Sequence, residues 1–272
     1  MEGTIVKQIS NLYTVEANNK LYECRARGKF YHDKLTPLVG DKVIIDDKNN
    51  YILELKPRKN YLDRPSIANI DACLIITSVK SPNLDLNLLD KLLCVIIHNK
   101  IKPIICFTKI DLLNRNEKKE IKKLIKYYQK IGIQTFSNKE VRKITKSIAN
   151  QIIVLTGQTG AGKSTLLNRL NKELNLATSP ISEALGRGVH TTRHVELFKY
   201  KTSLIADTPG FSAIDIDSLT KEEIKNTFPE FKVKCEYDDC MHIKEPNCVV
   251  RKLTEEKKIL ESRYQSYLKF VR

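Results

Sequence analysis

Gly157-Gln158-Thr159-Gly160-Ala161-Gly162-Lys163-Ser164 is the stretch that decides the fold. It has the form G-x-x-x-x-G-K-S, follows an apolar run at 151–156 and opens a helical pattern at 164–170. Glycines let the backbone close around phosphates, so that successive N–H groups point at anionic oxygens. Lys163 adds a point charge for the β- and γ-phosphates, and Ser164 offers a hydroxyl to Mg²⁺, with Thr165 next to it. A phosphate loop between a strand and a helix predicts an α/β domain that binds a nucleoside triphosphate.

Outward from the loop, two more strings have the order such a site needs. Asp207-Thr208-Pro209-Gly210 ends the strand pattern at 203–206. Asp207 is the candidate for holding Mg²⁺ through water, and the Gly210 N–H for sensing the γ-phosphate. Between them lies Gly186-Arg187-Gly188-Val189-His190-Thr191-Thr192-Arg193. One of its threonines is expected to complete the Mg²⁺ shell, Thr192 by its position, with Thr191 the alternative. The residue after the D-x-x-G string is Phe211, where many GTPases carry a water-orienting glutamine. His190 is the candidate catalytic group in its place, against the plainer reading of a loop histidine that touches phosphate or RNA.

Base recognition sits on the other side of the phosphate loop. Thr108-Lys109-Ile110-Asp111 follows the buried-strand run 103–107 and matches the guanine motif [N/T]-K-x-D. Asp111 can accept two hydrogen bonds from guanine N1–H and its 2-amino group, a donor pair adenine lacks. The Lys109 stem can lie along the base. Ser137-Asn138-Lys139, further on, is a weak match to the motif that touches guanine O6. The base motif precedes the phosphate loop, whereas ordinary GTPases place it after; the order is circularly permuted. Further strand patterns at 72–77, 102–108, 133–136 and 195–200, and helical ones at 86–97 and 117–131, predict an α/β sheet with helices on both faces.

The flanks differ from this middle. Alternating segments at 4–9, 12–15, 21–26, 42–46 and 51–55 fit five short strands closing into an OB-type β-barrel. Arg25, Arg27, Lys29, Phe30 and Tyr31 interleave basic and aromatic groups, as single-stranded RNA binding needs and as an ordinary strand and turn also shows. Residues 213–272 have no strand pattern. They hold Cys235, Cys240, His242 and Cys248, four N/S ligands at the short spacing of a closed tetrahedral structural zinc site. Cys24, Cys73, Cys94 and Cys106 sit inside strand or helix patterns and are expected to be core residues. The predicted organisation is therefore a barrel at 1–62, a circularly permuted P-loop GTPase domain at 63–212 and a zinc-binding helical domain at 213–272.

With these parts in this order, the chain resembles the ribosome small-subunit-dependent GTPase A (RsgA) family over nearly its whole length. Gly40-Asp41 in the barrel, Arg64-Pro65 and Ala68-Asn69-Ile70-Asp71 at the entry to the GTPase domain belong to the likeness. The resemblance implies late maturation of the small ribosomal subunit, GTP hydrolysis stimulated by that subunit, and contact with its rRNA. It implies one structural Zn²⁺ per chain and Mg²⁺ with GTP, and it places a histidine where His190 stands. Two departures are visible: Thr108 stands where asparagine is commoner, and Ser137-Asn138-Lys139 lacks the usual small residue.

Composition agrees. Among 272 residues the net charge is +15, and the excess lies in the middle: 64–212 carries 24 basic and 11 acidic groups. A basic surface suits a polyanionic partner, although a lysine-rich genome would leave the same mark. No apolar run approaches the roughly 20 residues that span a bilayer, and no secretory leader precedes the first strand, so a soluble cytoplasmic protein is expected. Seven cysteines argue against a disulfide framework. Nothing suggests a dimer. A regulatory GTPase acting on a protein partner, with the barrel as its interaction module, is the alternative; a steep loss of affinity with salt would favour RNA.

Overall fold

The computed structural model describes residues 1–28, 30, 36–63, 66–170, 195–206 and 216–272. The calls on Lys29, Tyr31, Arg64-Pro65, His190, Thr191, Thr192, Asp207, Gly210 and Phe211 lie outside these residues.

Five strands, β1 (Glu2–Ile9), β2 (Leu12–Ala17), β3 (Lys20–Ala26), β4 (Lys42–Asp46) and β5 (Tyr51–Leu55), close into a barrel in the order β1-β2-β3-β5-β4. Alternation drives it: β2 buries every second residue, and Ile5, Val15, Cys24, Val43, Ile45 and Ile52 fill the interior. Of the two readings of the 25–31 stretch, Phe30 follows the plainer one. Phe30 is only 5% exposed and belongs to the core, so it offers no ring to RNA, while Arg25 and Arg27 are exposed. The exposed ring is Tyr51, which pairs in register with Arg25 and lies under the Arg27 guanidinium, 5.9 Å from its centre. A short hairpin, β6 (Tyr61–Asp63) and β7 (Ser66–Ala68), follows the barrel.

The second sheet has six strands in the order β10-β9-β8-β11-β13-β12. These are β8 (Ala72–Ser78), β9 (Lys102–Thr108), β10 (Gln134–Ser137), β11 (Ile152–Thr156), β12 (Leu197–Tyr200) and β13 (Ser203–Ala206). Every residue of β8 and β11 is buried, as unbroken apolar runs such as Leu74-Ile75-Ile76 require. Helix α1 (Leu86–His98) starts at the Asp85 carboxylate, which accepts from Leu88 N–H, and α2 (Arg115–Lys130) starts at a capping box of Asn114 and Glu117. Helices α3 (Val141–Ser147) and α4 (Lys163–Leu170) come next, then α5 (Lys221–Asn226), α6 (Val249–Glu255) and α7 (Glu261–Phe270).

The described residues form two compact units. One takes in Met1–Leu74, Glu140–Gly157 and the described part of 163–211; the other takes in Ile75–Lys139, Gln158–Gly162 and the described part of 212–272. In the second, α7 packs on α1 around an ion triad that the sequence pattern did not reveal. Arg263, 1% exposed, donates to Asp90 Oδ1 at 2.8 Å and to Glu230 through Nε (2.7 Å) and Nη2 (3.1 Å), with Phe228 beneath it at 4.4 Å. Burial works against the Arg263 charge, but the two carboxylates outweigh it and hold its pKa well above the ordinary value. Cys24, Cys73, Cys94 and Cys106 are buried, as expected of core cysteines.

Candidate functional site

The phosphate loop begins where β11 ends. Its glycines take positive φ angles, 141° at Gly157, 76° at Gly160 and 93° at Gly162, a backbone that residues with a Cβ rarely adopt. Lys163, at the start of α4, reaches back to the Gly157 carbonyl at 2.7 Å and so spans the mouth of the loop. Gln158 and Ser164 are half-buried, Thr159 and Thr165 exposed, and Ala161 fully buried. The loop thus presents backbone amides, a helix N-terminus, one ammonium and one hydroxyl together, the donor set for a triphosphate and its cation.

The base turn leaves the end of β9. Thr108 is 3% exposed, and its hydroxyl donates to the Ala161 carbonyl at 2.6 Å. The threonine that stands where asparagine is commoner thus ties the base turn to the phosphate loop. Lys109 adopts a left-handed conformation at φ 59°, and its ammonium is held by the Ser81 carbonyl. That anchor was not legible in the sequence, because a backbone acceptor has no signature. A 3₁₀ turn over Ile110–Leu112 then lifts Asp111 into solvent. Beside it, β10 runs parallel to β9 with Ser137 opposite Phe107, and Asn138 N–H donates to the Phe107 carbonyl at 2.9 Å. The Asn138 side-chain oxygen is buried with no hydrogen-bond partner among the described residues. Thr108, Lys109, Asp111 and Asn138 are therefore brought to the ends of two adjacent strands.

The third element is the knuckle. The ligand atoms of Cys235, Cys240, His242 and Cys248 all lie within 4.8 Å of one another. His242 Nδ1 is 3.6, 3.3 and 3.4 Å from the three sulfurs in turn. A tetrahedron with bonds of about 2.3 Å to sulfur and about 2.0 Å to nitrogen has N–S edges of about 3.5 Å, so this spacing is compatible with a four-coordinate zinc ion. Burial, joined by the neighbouring thiols of Cys235 and Cys248, pushes the Cys240 thiol up to about 12. Burial, with Lys225 nearby, pushes His242 down and keeps its ring neutral. Crowded thiols that resist ionisation and a neutral imidazole become a good ligand set once a dication supplies the missing charge. The cage is held from outside: Glu245 accepts from the N–H groups of Met241, Ile243 and Lys244, while the Tyr264 and Tyr267 hydroxyls of α7 donate to the His242 and Met241 carbonyls. Phe231 meets the His242 ring edge-on at 5.5 Å.

Comparison with known proteins agrees with this geometry. The family model for the RsgA GTPase matches residues 55–217, and that for the RsgA N-terminal domain matches 2–52. A small ribosomal subunit biogenesis GTPase RsgA of Enterococcus faecalis is 42% identical, with 100% of this chain and 94% of the relative covered. Its counterpart from Lactobacillus gasseri is 47% identical over 98% of this chain and 93% of its own length. Among solved structures, YloQ, described as a circularly permuted GTPase, superposes with a TM-score of 0.84 at 34% identity, covering 99% of this chain and 93% of its own. YjeQ from Thermotoga maritima gives 0.85 at 30%, covering 99% and 96%. With a barrel, a base turn that precedes its phosphate loop and a Cys₃His knuckle in one chain, this protein belongs to the RsgA GTPase family.

Proposed function

We propose that this chain hydrolyses GTP to GDP and phosphate on the small ribosomal subunit and serves the late maturation of that subunit. The observation that carries the reading is the Thr108–Ala161 hydrogen bond, which joins a guanine-type turn to a phosphate loop in permuted order. It occurs in a chain that covers more than nine-tenths of relatives named small ribosomal subunit biogenesis GTPases.

In this reading Asp111 accepts from guanine N1–H and the 2-amino group, and the Lys109 stem lies along the base. Amides of 157–162 and the Lys163 ammonium hold the β- and γ-phosphates. Ser164, Thr192 and Asp207 hold Mg²⁺, which when bound neutralises charge that develops between the β- and γ-phosphates. His190 orients the attacking water, whose oxygen bonds to the γ-phosphorus as the bridge to the β-phosphate breaks. Cys235, Cys240, His242 and Cys248 would hold zinc, which would supply structure rather than chemistry there. The subunit is met through its rRNA, and the chain acts as a monomer in the cytoplasm. Among the described residues no helix is long and apolar enough to cross a membrane.

GTP turnover with and without purified small subunits tests the reading. The free chain should turn over far below the usual range of about 1–1,000 per second, and subunits should raise the rate. His190→Ala should remove most of that rise in single-turnover assays at saturating subunit while GTP affinity holds, because the lost contact exists mainly in the transition state. Turnover indifferent to subunits would overturn the proposal.

A further inference from the structure

Gly40-Asp41 and Asn69-Ile70-Asp71 carry no nucleotide chemistry, yet they are among the most heavily bonded residues of the first unit. Asp41 is fully buried and takes two nitrogens of a side-on Arg58: Nε reaches Oδ1 and Nη2 reaches Oδ2, each at 2.7 Å. Leu38 N–H donates to the same carboxylate at 2.7 Å, and Arg58 Nη2 also donates to the Thr36 carbonyl. A bidentate pair so enclosed is rigid. Gly40, at φ 91°, lies so close against Ala68 that a Cβ there would collide with the Ala68 carbonyl.

The next residues along the chain pass the connection on. The Asn69 amide donates to the Gly40 carbonyl at 3.0 Å and its oxygen accepts from Lys59 N–H at 3.1 Å. Asn60 brackets Ile70, accepting from its N–H at 2.8 Å and donating to its carbonyl at 2.9 Å. Asp71 closes the series. One of its oxygens pairs with the Lys59 ammonium, the other accepts from Ile152 N–H at 2.8 Å, and its own N–H donates to the Ile152 carbonyl at 2.9 Å. Ile152 is the first residue of β11, the strand that opens into Gly157. The outer end of the series is at the surface: Tyr61, half exposed, has the Arg58 guanidinium over its ring at 5.9 Å.

We propose that Asp71 is a positioning residue for the nucleotide site, fixing the strand that leads into the phosphate loop to the barrel through Lys59, Arg58 and Asp41. A subunit gripping the hairpin at Tyr61 thereby displaces β11 and sets the loop. Adjacent residues Arg58 and Lys59 hold one end each, so the residues that hold the Asp41 and Asp71 carboxylates are joined by a single peptide bond. Coupling of this kind is carried by a contiguous path, and each link here is a hydrogen bond or ion pair. The inference rests on the function proposed above and adds the route by which stimulation reaches the nucleotide.

Single-turnover GTP hydrolysis of the wild-type chain and Asp71→Ala, with saturating subunits and without, tests it. Asp71→Ala should lose about tenfold of the stimulated rate, within the usual span of coupling between sites. The unstimulated rate, the affinity for a fluorescent GDP analogue and the half-saturating subunit concentration should stay within about twofold. Asp71→Asn, which keeps an acceptor for Ile152 N–H, should recover most of the stimulation. Lys59→Met, at a half-exposed position, cuts the same path without leaving a buried polar group; it should lower stimulation even if Asp71→Ala does not fold. Stimulation of Asp71→Ala and Lys59→Met equal to wild type overturns the positioning role alone. So does a loss of the unstimulated rate and GDP affinity in the same proportion as the stimulated rate, which marks a merely structural residue. A wild-type chain that subunits do not stimulate overturns the functional proposal and this inference together.

Discussion

Replacing Thr108 by valine removes one hydroxyl and changes little else in shape. The hydroxyl is buried, and its single proton makes the 2.6 Å bond to the Ala161 carbonyl, with the Thr77 carbonyl farther off at 3.3 Å. Ala161 itself is fully buried, so no water takes over the lost bond while the loop keeps its conformation. Leaving a buried carbonyl unpaired costs about 1–3 kcal/mol. If the loop escapes that cost by opening toward water in the free protein, binding must close it again, and affinity falls by roughly 5- to 150-fold. GDP and GTP should weaken alike, because the bond touches the loop rather than the γ-phosphate. Thr108→Asn should bind close to wild type, since an asparagine amide can donate to the same carbonyl. Fluorescence titration of a GDP analogue against the three proteins, with urea unfolding run in parallel, makes the measurement. Valine binding within about twofold of wild type at unchanged stability would refute the tie between base turn and phosphate loop.

Asp111→Asn turns an acceptor into a donor on one side of the guanine edge; it should abolish the preference for guanine, at roughly 1–3 kcal/mol or more, and GDP binding equal to wild type would refute the base assignment. Elemental analysis should find about one zinc per chain, and a chelator should unfold the 235–248 segment while GDP still binds. Residues 115–146 hold 11 basic and 3 acidic groups. Reversing the charges of Lys118, Lys119, Lys122 and Lys126 should weaken subunit binding and flatten its salt dependence; an unchanged slope would assign the lysines to compositional bias.

The legible parts were those written in local spacing. Alternation gave all five barrel strands, unbroken apolar runs gave β8, β9 and β11, and ligand spacing gave the Cys₃His cage. Phe30 was left between two readings because a basic neighbourhood says nothing about which way one ring turns; it turns inward, and an exposed ring comes from Tyr51 on another strand. The 61–68 hairpin was not foreseen, being too short to leave a period. Arg263 was hidden for a different reason. Its partners lie 173 and 33 residues away, and a charge on a charged helix reads as solvated. The signal existed in part: Arg263 stands four residues before Tyr267, on the buried face of α7. The Asp41–Asp71 series runs largely through side chain to backbone bonds, which leave no pattern between residue types.

The last helix also sets a condition on synthesis. Asp90 is made early and Arg263 comes 173 residues later, so until α7 leaves the translating ribosome Asp90 and Glu230 have no cation to bury against. Removing one partner of such a group is typically worth about 3–5 kcal/mol against the folded state. The same ten-residue helix supplies the tyrosines that brace the knuckle. A product cut short before residue 263 would hold the base turn and the phosphate loop but no stable second unit to carry them. Burial of Asp90 and Glu230 thus waits on a cation that is synthesised after both of them.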